Sequence, residues 1–440
     1  MKNPNLPITG IIPSEEGNIC FYADGYSFTL MDSLIEPLRN VEVLPKDSFI
    51  WGKTRNGNDI AIYTGLYPAY TYGDGRIESN AYALLESNTD SADDNSYWGI
   101  DFVGGTLNKV YKQFLLRGTL DNYDNRRCIQ KTVSIDGLTV TIIIDFGIVF
   151  GRSNNKNEEA VFVRMLFSEK QPLISVLRHY NVIKDFISFL MFRRNVGFED
   201  IVLISKIEND NVEETDYKPI GNVYIKQSDP LTEKRAFEGI LLEEIESVLP
   251  SFLTVLYNSK EREYLYADGF LPFNDSTVLR MTDARIREIC SALECELGFI
   301  EQKNTDENLM ALIKRVTAIV KEHRDGDNPL PQKTYDNIFG SIAHWSSATS
   351  DRIIALYSQY KHIITHIRPN RFGYMVDDKA IEKFIQYRND ITHGKFRMLN
   401  ENVARTAFTM MGLVYCCVLK RIGLEEEQIM HLNCLPELLL

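Results

Sequence analysis

Partway along this chain the spacing of its apolar residues changes, and that change limits the possible folds more than any other feature. Up to about residue 165, β-branched and aromatic residues come in short runs broken by Gly, Asn and Asp; beyond about residue 275 apolar residues recur every three or four positions. Strand side chains alternate across a sheet, whereas helical neighbours lie three and four residues apart, so neither pattern can bury its apolar side in the other geometry. The expectation is an α+β protein, a mostly-β domain followed by an all-α helical bundle. Length agrees, since 440 residues exceeds the size at which one hydrophobic core usually stops growing, about 250–300 residues.

In the first part, "NICFYADGYSFTLM", "SFIWGKTRNGNDIAIYTG", "SYWGIDFV", "RCIQKTVSIDGLTVTIIIDFGIVFG" and "EAVFVRMLF" read as strands, with "NGND" and "DG" supplying residues that tolerate the positive φ of tight hairpin turns. A helix is expected in "PLISVLRHYNVIKDFISFLMFRR", strands again in "DIVLISKI" and "GNVYIKQ", and a closing helix in "LLEEIESVLPSFLTVLYN". After the loop "ADGFLPFNDST" come five helical segments: "RMTDARIREICSALECELGFI", "ENLMALIKRVTAIVKEHR", "SDRIIALYSQYKHIITHI", "DKAIEKFIQYRNDITHG" and "NENVARTAFTMMGLVYCCVLKRI". "HRDGDNPLPQK" and "IRPNRFGYMVDD" read as loops between them. The expected domains are residues 1–275 and 276–440.

Net charge is -13 for the whole chain, yet residues 276–440 hold 21 basic and 21 acidic side chains, so the entire acidic excess falls in residues 1–275. Within the neutral part, residues 361–405 carry nine basic side chains (Lys361, Arg368, Arg371, Lys379, Lys383, Arg388, Lys395, Arg397, Arg405) against five acidic ones. That footprint suits a small, site-like contact with a polyanion rather than a broad nucleic-acid surface. The 7 cysteines are odd in number and lack a C-x-x-C pair, which argues for reduced thiols and against a disulfide framework or a zinc ribbon. Prolines and acids interrupt the N-terminal stretch where a secretory leader needs an apolar core, so a cytoplasmic location is expected. The longest apolar run, Thr406–Leu419, falls short of the about 20 residues a membrane crossing needs and reads as a buried helix, with no membrane partner.

The stretch "YRNDITHGKF", residues 387–396, carries the chemistry. Asp377 or Asp378 suits the N-cap of its helix and Gly394 its C-terminal stop, with Ile381, Phe384, Ile385 and Ile391 as the buried face. Five helical steps set His393 about 140° around the axis from Arg388 and about 7.5 Å along it. Groups so disposed converge poorly on one small ligand, and a compact site forms more readily when a second copy of the helix packs alongside. A homodimer is therefore expected. The pair suits metal-free cleavage of RNA, whose 2′-hydroxyl is an internal nucleophile: a histidine moves protons near neutral pH, and an arginine offers a planar fork to the phosphate. Asn389 can position either by hydrogen bonding. Lys361, Arg368, Lys395 and Arg397 are candidates for weak RNA contacts, and no cofactor or metal is called for. The alternative for a spacing this common is an exposed polar helix end.

Other motifs carry less. "WGKT" at Trp51–Thr54 lacks the first Gly of a phosphate-binding loop, because Asp47 stands in its place, and reads as a turn. His362 and His366 are spaced as helical metal ligands but lack a third partner, so a helix-face pair near a dimer seam or an RNA entrance is preferred. His344 beside Trp345 reads as a packed histidine, Cys416 and Cys417 as small core hydrophobes, and the acids of "LEEEQ", residues 424–428, as the first turn of a helix.

"RNDITHG", late in an all-helical stretch, resembles the Arg-x4-6-His signature of HEPN-family ribonucleases, in which a polar residue often follows the arginine. "MTDARIREICSALECELG" resembles the opening helix of the HEPN domain in ApeA-type proteins, and "IWGKTRNGNDIAIYTG" with "YWGIDFVGG" resembles the N-terminal domain of that family; together these span nearly the whole chain. The resemblance implies an anti-phage abortive-infection protein, a homodimeric HEPN endoribonuclease in which Arg388 and His393 are catalytic with Asn389 in support. It also implies an N-terminal domain that senses infection, with a phage protein as a possible trigger, or that restrains the nuclease. Some HEPN domains are inactive, so a dimer serving only as an RNA-, nucleotide- or protein-binding sensor module stands as the alternative.

Overall fold

The computed structural model describes residues 7–14, 17–31, 47–65, 76–86, 96–116, 127–150, 157–207, 216–227, 239–261, 270–273, 280–299, 307–343, 349–367 and 376–432. The chain is α+β and divides into two compact units, residues 1–263 with 271–277, and residues 264–270 with 278–440. Arg368, His344, Trp345, Cys434 and most of the two loops around residues 267–277 and 367–378 lie outside the described residues.

Thirteen described strands build the first unit: β1 (Ile8–Ser14), β2 (Gly17–Asp24), β3 (Ser27–Met31), β4 (Phe49–Thr54), β5 (Asp59–Tyr63), β6 (Arg76–Glu78), β7 (Ala81–Leu85), β8 (Ser96–Val103), β9 (Ile129–Ile135), β10 (Leu138–Phe150), β11 (Asn157–Pro172), β12 (Asp200–Ile207) and β13 (Asp216–Ile225). They form one antiparallel sheet in the order β6-β3-β2-β1-β4-β5-β7-β13-β12-β8-β11-β10-β9. Asp136 (φ 52°) and Gly137 (φ 82°) make the two-residue turn between β9 and β10, the backbone that a twisted hairpin requires. In β10 the side chains Val140, Ile142, Ile144 and Phe146 are buried while their neighbours are not, so the period-two pattern is realised with one face to the core. β1, β6 and β7 carry weaker sequence signals, and none of them was expected; Pro13 lies in β1 opposite Asn18.

Short helices follow β8 at Gly105–Lys109 and at Lys112–Leu116 (α1), and two longer ones, α2 (Ser175–Met191) and α3 (Leu249–Glu261), complete the unit. α2 lies against β11 and α3, and α3 against β9. Phe252 of α3 meets Phe186 and Phe189 of α2 edge-on, with ring centroids 5.3 and 5.0 Å apart. The closing helix was expected from residue 241 but starts at Leu249, after single 3-10 turns at Leu242–Glu244 and Glu246–Val248. Pro250 explains the shift, because proline is tolerated in the first turn of a helix and disrupts its interior.

The second unit contains α4 (Asp283–Phe299), α5 (Glu307–Arg324), α6 (Gln332–Ala343), α7 (Thr349–Ile367), α8 (Asp378–Thr392), α9 (Glu401–Arg421) and α10 (Glu426–Met430). α9 is its centre, touching α4, α7, α8 and α10. Among the described residues α9 is the one helix long and apolar enough to cross a membrane, yet 83% of its apolar window is buried inside the protein, so core packing accounts for its composition. α5 has no buried residue and pairs with α6, a helix that went unmarked in the sequence although Tyr335, Ile338, Phe339 and Ile342 carry helical spacing.

A carboxylate buried between α4 and α9 fixes their register. Glu296, 2% exposed, accepts from Arg421 Nη2 at 2.7 Å and Nε at 3.2 Å, and the same guanidinium lies 4.3 Å from the Phe299 ring centroid. Removing one partner of such a pair costs far more than the pair contributes, because a charge stays behind in a place made for two. Arg421→Ala is expected to lower the stability of the helical unit by about 3 kcal/mol, measured as a fall in the urea midpoint of its far-ultraviolet circular dichroism transition.

Candidate active site

The C-terminal end of α8 brings Arg388, Asn389 and His393 onto one stretch of chain, and its caps follow from the local sequence. Asp377 is the N-cap, its carboxylate accepting from the Ala380 N–H at 2.8 Å, and Gly394 (φ 73°) turns the chain immediately after His393. Ile381, Phe384, Ile385, Tyr387 and Asp390 face the core, while Ile391 is half-buried rather than fully so. Arg388 is partly buried, and Asn389 and His393 are exposed. No hydrogen bond or ion pair engages the His393 ring among the described residues, which leaves both ring nitrogens available to a substrate.

Arg388 lies against α4. Its Nη2 donates to Glu294 Oε1 in an ion pair and its Nη1 donates to Asn389 Oδ1 at 3.0 Å. Two of the five guanidinium N–H groups are engaged in this way, and the fork is held in place with donors left over for a phosphate. Cys290, one helical turn before Glu294, is buried under the same charge; burial pushes its thiol up to about 12, and the nearby guanidinium opposes this only in part. A thiol so raised is no nucleophile near neutral pH.

Asp390 organises the chain beyond the helix. Although it neighbours Asn389 in sequence it is only 7% exposed, and it accepts from Lys395 Nζ at 3.1 Å and Arg397 Nε at 2.9 Å. The hydrogen bond from the Lys395 ammonium, with the charges of both cations, holds the Asp390 carboxyl below the usual carboxylate range. Tyr387 lies against the same segment, its hydroxyl donating to Asp283 Oδ1 at 2.8 Å while the Arg397 carbonyl oxygen shares that proton at a longer 3.3 Å. Lys395 and Arg397, proposed from sequence as RNA contacts, are therefore partly committed to an internal carboxylate. Asn400 closes the connection as N-cap of α9, accepting from the Val403 N–H at 2.9 Å.

Lys361 stands apart from this group. With Ser358, His362, Thr365 and His366 it lines a shallow, open depression on α7. His362 Nε2 lies 2.8 Å from Glu426 Oε2 in the first turn of α10, where acids were expected. Among the described residues no three His, Cys, Asp or Glu side chains are grouped to hold a metal ion. Cys416 and Cys417 are buried in α9, and burial pushes the Cys416 thiol up to about 12. Glu294, Asp390 and Tyr387 escaped the sequence analysis. Glu294 is 94 residues from Arg388, beyond any local spacing rule, and Asp390 becomes a clasp only once the chain has reversed at Gly394.

The sign of the acid dependence follows from the lowered carboxyl. Its contribution is complete above the unfolded-state value near 3.8 and is withdrawn as pH falls through the lower folded-state value. Hydrogen exchange over residues 393–399 should accelerate, beyond the intrinsic pH effect, over the range from neutral pH down to below the usual carboxylate range. Asp390→Asn should show the loosened segment at both ends of that range and no further transition. A search against protein-family models and a search of curated proteins each find no match to the chain.

Proposed function

We propose that the protein is a metal-independent endoribonuclease of the HEPN type, with His393 as the proton-transferring group and Arg388 as the stabiliser of charge on the phosphate. The observation that carries this reading is the arrangement at the end of α8: an exposed imidazole with no competing partner among the described residues, five residues from a guanidinium that Glu294 and Asn389 orient while leaving donors unengaged. RNA supplies the nucleophile in its 2′-hydroxyl. His393 takes that proton or returns one to the leaving oxygen, a role worth about 10²- to 10⁴-fold in rate. Arg388 meets the non-bridging oxygens as negative charge builds there. Because one helix turns its two groups different ways, the complete site takes both pairs from a homodimer of the helical unit.

In this reading the protein acts in the cytoplasm as an anti-phage defence factor of the ApeA kind. The first unit, which holds nearly all of the acidic excess, is the sensor or restraint, and a phage protein is its trigger. The ion pair between Arg388 and Glu294 favours one competing reading, a catalytically silent HEPN dimer that binds RNA, nucleotide or protein, since a carboxylate on the fork weakens its hold on phosphate. The two readings part on cleavage.

Arg388→Ala and His393→Ala should each lower cleavage of a single-stranded RNA by the triggered protein at least about 10²-fold, abolish protection from phage, and leave circular dichroism and oligomeric state unchanged. A chelator should leave the wild-type rate intact. Full activity in either variant overturns the assignment, and a wild-type protein that binds RNA without ever cutting it establishes the silent module.

A further inference from the structure

We propose that Phe396, with Met398 beside it, is a stacking platform for an unpaired nucleobase next to the phosphate held by Arg388 and His393, so that the site takes single-stranded RNA. This inference rests on the ribonuclease reading above. Phe396 is 94% and Met398 85% exposed, whereas the next most exposed large apolar side chain among the described residues, Ile319, is 56% exposed. Two large apolar groups held this far into water need an occupant.

The backbone that presents them is fixed. The Lys395 N–H donates to the Asp390 carbonyl at 2.9 Å, the Lys395 and Arg397 side chains grip the Asp390 carboxylate, and Tyr387 Oη lies 3.3 Å from the Arg397 carbonyl oxygen. The residues alternate: both cations fold back onto Asp390, and the apolar residues between and after them stand out. Ordering the segment has thus been accomplished before any ligand arrives, which is how a preorganised surface gains affinity. Phe396 is three Cα steps from His393, a reach of at most about 11 Å, so the ring can meet a base on either side of the scissile phosphate.

Charge selects the occupant. Two cations against one carboxylate leave the strip positive, the sign that meets a phosphate backbone. A positive strip interleaved with an aromatic ring is the pattern that binds single strands, where every base offers a π-face whatever its identity. A double helix keeps its base faces stacked inside and offers nothing to Phe396.

The test uses the full-length protein and a 2′-O-methylated single-stranded oligonucleotide, which lacks the nucleophile and so reports binding without cleavage. Phe396→Ala should weaken binding about 5- to 150-fold, the range that loss of one base–aromatic stack produces, and Phe396→Trp should restore it. Binding of a duplex of the same sequence, or of a strand made abasic throughout, should be the same in Phe396→Ala as in wild type. Unchanged single-strand binding in Phe396→Ala overturns the platform alone, as does an equal loss on the abasic strand. A loss that tracks dissociation into monomers by sedimentation also overturns it and assigns the strip to an interface between copies. Wild-type protein that binds neither strand nor duplex removes the ribonuclease reading along with the platform.

Discussion

A carboxylate taken out of water must be met by a cation, and among the described residues three such carboxylates, Asp101, Glu296 and Asp390, illustrate how that requirement fixes the fold. Asp101 and Arg164 sit directly opposite on β8 and β11 in a two-pronged pair, with contacts of 2.8 and 2.7 Å. Glu296 and Arg421 do the same between α4 and α9, and Asp390 gathers Lys395 and Arg397 beneath the end of α8. Such pairs add little net stability over a well-packed apolar substitute, but a misplaced register leaves a charge stranded, and that penalty runs to several kcal/mol. They therefore select one arrangement among many that hydrophobic burial alone would accept.

The helical unit shows why this selection matters for chemistry. α8 carries the arginine and the histidine, yet what the arginine can do is decided by α4, which supplies the Glu294 carboxylate. The position of α4 depends in turn on Glu296, two residues further on and committed to Arg421 of α9. Glu294 and Glu296 thus face different partners from one helix turn, the first towards the candidate site and the second into the core. Displacing α4 along its axis by one residue would break both contacts at once, because a one-residue step rotates every side chain about 100° around the helix.

Much of this was legible in the sequence because it is local. The Asp136–Gly137 turn, the Asp377 cap and the Gly394 stop each follow from what a single residue's backbone or side chain can do. The alternation in β10 and the helical spacing in α2, α4, α7, α8 and α9 are equally local. What could not be read is whatever depends on chain reversal or on distant pairing. Lys395 and Arg397 looked like free cations until the turn at Gly394 brought them over Asp390, and nothing near Arg388 announces Glu294. β1, β6 and β7 were missed because three to seven residues, one of them proline in β1, carry too little periodic signal to stand out from loops. α6 was hidden by its polar positions and by the Pro and Gly cluster before it.

The burial of α9 bears on the order in which a cell completes the molecule. The ribosome delivers Arg388 and His393 before it delivers Glu401–Arg421, the helix against which α4, α7 and α8 all pack. Until that apolar cylinder has left the exit tunnel, α4, α7 and α8 lack the surface they pack on, and a half-made chain carries the arginine and the histidine without the scaffold that places them.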